Sequence, residues 1–106
     1  MEIDEINEID ENYGKELKKY GYEYDTMSEK LHEIIYQYHG ENSKFKDSTI
    51  EINYGMNGKL VFYLSTNEAS TNTYSMKKLL KIIKCAYSNP EKSWNDCINE
   101  VFDKEK

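Results

Sequence analysis

Apolar residues recur at steps of three and four near both ends of the chain, and at steps of two in its middle. Ile3, Ile6, Ile9, Tyr13, Leu17 and Tyr20 would share one side of a helix over residues 2–20, because an α-helix turns every 3.6 residues. Acids crowd its first turns while Lys15, Lys18 and Lys19 lie toward its end, which suits the two poles of the helix dipole. Gly14 is a mild cost within this helix, and Gly21 is placed to stop it. A second helix is predicted to open at Thr26. Thr26-Met27-Ser28-Glu29 has the form of a capping box, and Met27, Leu31, Ile34, Ile35 and Tyr38 make one apolar face before Gly40. The short link at 21–25 would make these two helices an antiparallel hairpin.

The middle of the chain changes period. Thr49-Ile50-Glu51-Ile52-Asn53-Tyr54 alternates, and Leu60-Val61-Phe62-Tyr63-Leu64 can pair with it across Gly55-Met56-Asn57-Gly58-Lys59. A two-residue turn at Asn57-Gly58 would set Ile52 opposite Tyr63 and Phe62 opposite Asn53. A three-residue loop of Met56, Asn57 and Gly58 instead pairs Tyr54 with Leu60, Ile52 with Phe62 and Ile50 with Leu64. Burial of one face selects the second register, and it requires Gly58 in the left-handed region. Residues 65–73 are Ser, Thr, Asn, Glu and Ala, which predicts an exposed loop, with a ragged third strand as the alternative that the pattern does not itself support. Helical spacing returns over 75–87 through Met76, Leu79, Leu80, Ile83, Ala86 and Tyr87. Asn89-Pro90 has the form of an N-cap and first helical residue. Trp94, Cys97 or Ile98, Val101 and Phe102 then form the inner face of a last short helix. The expected fold is α+β in the order α-α-β-β-α-α, with helices covering a two-stranded hairpin that is not stable alone.

At 106 residues the chain has the length of one domain. Net charge is −6, and it is uneven. Residues 1–40 hold eleven acids against four lysines, a net of −7, while the remainder holds nine acids against ten lysines, a net of +1. All fourteen basic residues are lysine. Without arginine the chain lacks the planar fork used for bidentate phosphate recognition, which argues against a sequence-reading DNA binder or a phosphate-handling enzyme. No apolar run approaches the ~18 residues of a membrane span, and no leader is recognisable, so a cytoplasmic protein with reduced thiols is expected.

Candidate chemistry is sparse. His32-Glu33-Ile34-Ile35-Tyr36 carries Tyr36 where a zinc-protease helix needs its second histidine, so His32 and His39 read as surface residues. Cys85 and Cys97 read as core packing, reduced and without metal. No cofactor motif is found, and catalysis is not expected. Lys77, Lys78, Lys81 and Lys84 form one solvated stripe on the third helix, an alternative basic face for a small nucleic-acid-binding regulator. The acidic first helix is the more informative surface. Glu2, Asp4, Glu5, Glu8, Asp10 and Glu11 repeat about one turn apart, at steps of roughly 5–6 Å. Tyr13, Tyr20, Tyr22, Tyr24 and Asp25 adjoin them, and tyrosine is common at interface hot spots.

In size, acidity and tyrosine content the chain resembles the small inhibitors that phages and mobile elements direct against host defence nucleases, anti-CRISPR proteins among them. The spaced carboxylates and the tyrosines fit a protein partner with a basic surface, a nuclease or another nucleic-acid-binding protein, while net charge and hydropathy argue against nucleic acid itself or a membrane. A toxin-neutralising immunity protein would share the same acidity and size.

Overall fold

The computed structural model describes residues 3–25, 34–55 and 57–104. Helix α1 (Ile3–Lys19) leads into strand β1 (Tyr22–Tyr24), and four further strands follow: β2 (Ile34–Tyr38), β3 (Thr49–Tyr54), β4 (Leu60–Ser65) and β5 (Ser70–Thr73). Helices α2 (Met76–Ser88) and α3 (Trp94–Lys104) complete the described chain. The strands form one antiparallel sheet in the order β1-β2-β3-β4-β5, each beside its neighbour in sequence.

This corrects the expected α-α-β-β-α-α order. The helical hairpin is absent from the described residues, because Ile34–Tyr38 is a strand and Tyr22–Tyr24 pairs with it. Ile34, Ile35 and Tyr38 fit a helical face, but Ile34, Tyr36 and Tyr38 also alternate, and β-branched and aromatic side chains favour a pleated surface. Tertiary pairing decides between the two patterns. Ile34 lies opposite Ile52 and Tyr36 opposite Ile50, so β2 closes the free edge of β3. The capping box at Thr26, with Met27, Glu29 and Leu31, lies outside the described residues, as does His32.

The β3–β4 hairpin takes the three-residue loop. Tyr54 pairs with Leu60, Ile52 with Phe62 and Ile50 with Leu64. Gly55 N–H donates to the Lys59 carbonyl at 2.8 Å, and Gly58 has φ 78°. The run at 65–73 is a second hairpin rather than a loop. Thr66 holds its turn through a side-chain bond to the Ala69 N–H at 2.8 Å, and β5 pairs with β4 from Ser70 to Thr73. Polar strands of this kind carry no apolar alternation, so periodicity does not reveal them.

Register assigns the sheet two faces. One carries Tyr22, Ile34, Tyr36, Ile50, Ile52, Phe62 and Leu64, which join Ile9 and Leu17 of α1 and the inner faces of α2 and α3 in one core cluster. The other carries Glu23, Ile35, Gln37, Glu51, Asn53, Val61 and Tyr63, none of which enters that cluster. The protein is thus a two-layer α+β arrangement with its helices against one sheet face.

Helix ends follow local chemistry. Gly21, at φ 97°, ends α1 as expected. Ser75 caps α2, its hydroxyl accepting from the Lys78 N–H at 3.3 Å. Asn89 does not open α3. It closes α2, donating its backbone N–H to the Cys85 carbonyl at 3.0 Å and its side-chain amide to the same oxygen at 2.9 Å. Ser93 caps α3 instead, accepting from the Asp96 N–H at 3.1 Å. The Glu68 carboxylate accepts from Trp94 N–H at 3.2 Å, a favourable place for negative charge.

Between β2 and β3 the chain makes a single 3-10 turn, Ser43–Phe45, which ties these pieces together. Phe45 is fully buried, with ring centroids 4.9 Å from Trp94, 5.4 Å from Tyr38, 6.2 Å from Tyr87 and 6.3 Å from Tyr22. Its neighbour Lys44 donates from Nζ to the Ala86 and Asn89 carbonyls at 2.8 and 3.0 Å, satisfying the end of α2. Trp94 Nε1 donates to the Lys44 carbonyl at 2.8 Å. Truncating Phe45 removes the shared partner of four rings. Phe45→Ala is expected to cost about 3–5 kcal/mol and Phe45→Leu distinctly less, measured as urea unfolding free energy. A loss below about 1 kcal/mol for Phe45→Ala would contradict this role.

Candidate functional site

α1 lies along the β1 edge of the sheet, with Ile9 and Leu17 buried and its opposite side open. Glu8, Asp10, Glu11 and Glu16 are exposed on the helix, and Glu23 is exposed on β1. Asp4 and Glu5 sit on the first turns of α1, and Glu2 lies outside the described residues. The helix runs through Gly14 without a break. A Cβ at Gly14 would approach Asp10 Oδ1 to 2.6 Å, so the missing side chain leaves that carboxylate room.

Between helix and strand runs a groove of about 670 Å³, lined by Asp10, Glu11, Gly14, Lys15, Lys18, Tyr22, Glu23, Tyr24 and Tyr36. Tyr36 donates its hydroxyl to Asp10 Oδ1 at 2.9 Å, and its ring meets Tyr24 edge-on at 5.7 Å. Burial raises the Tyr36 phenol above its ordinary pKa, and the hydrogen bond to the Asp10 carboxylate pushes it the same way. It therefore stays a neutral donor that fixes the carboxylate at the groove wall.

The structure divides the tyrosines singled out from sequence. Tyr20 and Tyr22 are core residues: Tyr20 meets Tyr87 edge-on at 5.1 Å, and the Tyr22 hydroxyl is bonded to Ser48 at 2.7 Å. Burial raises the Tyr22 phenol, against a lowering by the Ser48 bond. Tyr13 and Tyr24 are half-buried against the core and stay close to the acidic side. Asp25 is half-buried and accepts from Gln37 Nε2 at 3.3 Å. Tyr36 belongs to this site and was not foreseen, because the expected second helix placed it on a polar side. The most exposed large rings are Tyr54, Tyr74 and Tyr87, at 43%, 63% and 50%. None of the three lies on the acidic groove.

The basic stripe is only partly a stripe. Lys77, Lys81 and Lys84 are exposed, whereas Lys78 is half-buried with Nζ 4.0 Å from the centre of the Phe102 ring. Lys81 and Lys84 rim a second groove, of about 480 Å³, between α2 and α3, which Cys85, Asn89, Glu100 and Lys104 also line. Glu100 is clamped there, 2.6 Å from Lys92 Nζ and 3.2 Å from Lys104 Nζ. Hydrogen bonds from the two lysines hold its carboxyl down at about 2. Among the described residues no group of His, Cys, Asp and Glu is arranged to hold a metal ion, and no helix is long and apolar enough to cross a membrane.

No family model matches the chain, and no curated protein or solved structure matches it. The two grooves are therefore interpreted from their own geometry. α1 contacts β1, whereas α2 contacts β4 and β5. The charged lining of the first groove is Asp10, Glu11 and Glu23 beside Lys15 and Lys18, and that of the second is Lys81, Lys84 and Lys104 around Glu100.

Glu100 generates a pH dependence. Its folded-state pKa lies below the ordinary value of 4.5, so its contribution to stability is present above that value and lost as pH falls toward 2. Wild type should exceed Glu100→Gln in denaturant midpoint at pH 7, and the gap should close between about pH 4.5 and 2. A gap independent of pH would contradict the ion-pair clamp.

Proposed function

We propose that the chain is an acidic binding protein of the phage or mobile-element inhibitor type, anti-CRISPR-like, that occupies a basic nucleic-acid-binding surface on a host or defence protein. One observation carries the reading: α1 buries its apolar side against the sheet and leaves Glu8, Asp10, Glu11 and Glu16 facing outward beside Glu23. Carboxylates about 5–6 Å apart along a rod imitate, coarsely, the charge of a nucleic-acid strand. A protein channel lined with lysine and arginine would attract that rod over a distance set by salt. Tyr24 and Tyr36, at the groove beside the carboxylates, supply ring surface of low conformational entropy for contact.

The cationic side offers less by comparison. Lys78 is committed to Phe102, and Lys92 and Lys104 are committed to Glu100.

Charge reversal tests the reading. The protein, immobilised, is used to capture partners from a host lysate, with mass spectrometry as readout. Wild type is expected to retain a nucleic-acid-binding protein that added nucleic acid displaces. Glu8→Lys, Glu11→Lys and Glu16→Lys together should weaken capture by about tenfold or more, through slower association, and higher salt should do likewise. Folding should barely change, because exposed charges contribute little to stability. Lys77→Glu, Lys81→Glu and Lys84→Glu together should matter far less. If the lysine set abolishes capture while the acidic set is silent, the partner is acidic and the reading fails.

A further inference from the structure

The loop between β3 and β4 holds the one asparagine of the chain that a glycine follows, Asn57-Gly58. Asn57 is exposed, and its side chain folds back over the peptide that joins it to Gly58. Its Oδ1 accepts from the Lys59 N–H at 3.1 Å, and its Nδ2 donates to the Tyr74 hydroxyl at 3.4 Å. This arrangement sets the amide carbon Cγ beside the Gly58 nitrogen. Gly58 has φ 78°, and no atom beyond its chain neighbours lies within 4 Å of the place a Cβ would take. Asn42 is a control within the same molecule. Its Oδ1 accepts from the Lys44 N–H at 3.0 Å in the same kind of turn, but Ser43 follows it and opens a 3-10 turn.

We propose that Asn57 is a self-modifying site, converting to aspartate and isoaspartate in the folded chain with water as the only co-reactant, and that isoaspartate loosens the β3–β4 hairpin. The Gly58 nitrogen gives up its proton to hydroxide and attacks Cγ. A C–N bond forms, the Cγ–Nδ2 bond breaks, and ammonia leaves with a proton regained from solvent, closing a five-membered imide. Water then opens the imide at either carbonyl. Opening at Cγ gives aspartate, and opening at the main-chain carbonyl gives isoaspartate, whose backbone runs through the former side chain. In sum an amide and water become a carboxylic acid and ammonia.

Two neighbours assist and one opposes. The Lys59 N–H already donates to the oxygen that turns negative during the attack. The Tyr74 hydroxyl accepts from Nδ2 in the intact amide and turns to donate as that nitrogen departs. Against this, the Gly58 N–H donates to the Gly55 carbonyl at 3.0 Å, and that bond opens before the proton is lost. Asn57, Gly58 and Lys59 are all exposed, so the opening disturbs no core residue. Aspartate adds one negative charge to the net −6 and leaves the backbone unchanged. Isoaspartate adds a carbon to the loop that sets Tyr54 opposite Leu60 and Ile52 opposite Phe62, and β2 and β5 pair with the strands of that hairpin.

Ageing the full chain near neutral pH, with peptide mapping by mass spectrometry, tests this. A one-dalton gain should appear at Asn57, quicken as pH rises, and be absent from Asn42 over the same time. Tyr74→Phe should slow the gain several-fold in the folded chain and leave it unchanged in urea, where the hydroxyl no longer sits beside Asn57. Asn57→Asp should melt like wild type, whereas the isoaspartate fraction, separated by ion exchange, should melt several degrees lower. No gain at Asn57, an equal gain at Asn42, full-speed reaction in folded Tyr74→Phe, or an isoaspartate fraction as stable as wild type would each overturn the proposal.

Discussion

The buried ring of Phe45 is the contact on which the rest of the structure depends. A short connection between β2 and β3 carries it beneath the sheet, where rings from β1, β2, α2 and α3 meet it. Aromatic contacts of this kind contribute about 0.5–1.5 kcal/mol each beyond the area they bury. The backbone and side chain of the preceding residue do the polar part of the same task. Lys44 closes α2 through two carbonyls and accepts the indole N–H of Trp94 on its own. One turn thus fixes where α2 ends, where α3 begins and how both meet the sheet, with no buried side-chain polar atom lacking a partner among the described residues.

Much of this was legible from spacing, and the failures have physical causes. The β3–β4 register followed from burial, because a slip by one residue would turn Ile50 and Ile52 outward. α1 and α2 were legible because their apolar faces are long, and Gly21 marks the end of α1. β2 was misassigned because Ile34 and Tyr38 satisfy two periods at once, with Ile35 completing a helical face and Tyr36 an alternating one, and the β3 edge that decides between them is distant in sequence. β1, with three residues, and β5, made of Ser, Thr and Asn, are too short or too polar to signal themselves. Asn89-Pro90 is an acceptable helix start in isolation, but Lys44 and the end of α2 claim Asn89.

The candidate site divides in the same way. Acidic exposure on α1 followed directly from an amphipathic pattern. Which tyrosines face outward did not, since only packing separates the buried Tyr20 and Tyr22 from Tyr24 at the groove. The link from Tyr36 to Asp10 joins residues 26 apart and depends on β2 being a strand. Because that strand sits beside β1, the sheet sets a neutral phenol against the carboxylates of α1, and the acidic helix becomes one wall of a groove rather than an isolated rod.

Amide hydrogen exchange, measured on the chain alone and bound to its captured partner, tests the acidic surface most directly. Docking through α1 predicts slowed exchange confined to α1 and β1, with α2 and α3 unchanged. Slowed exchange centred on α2 and α3, with α1 unaffected, would contradict it.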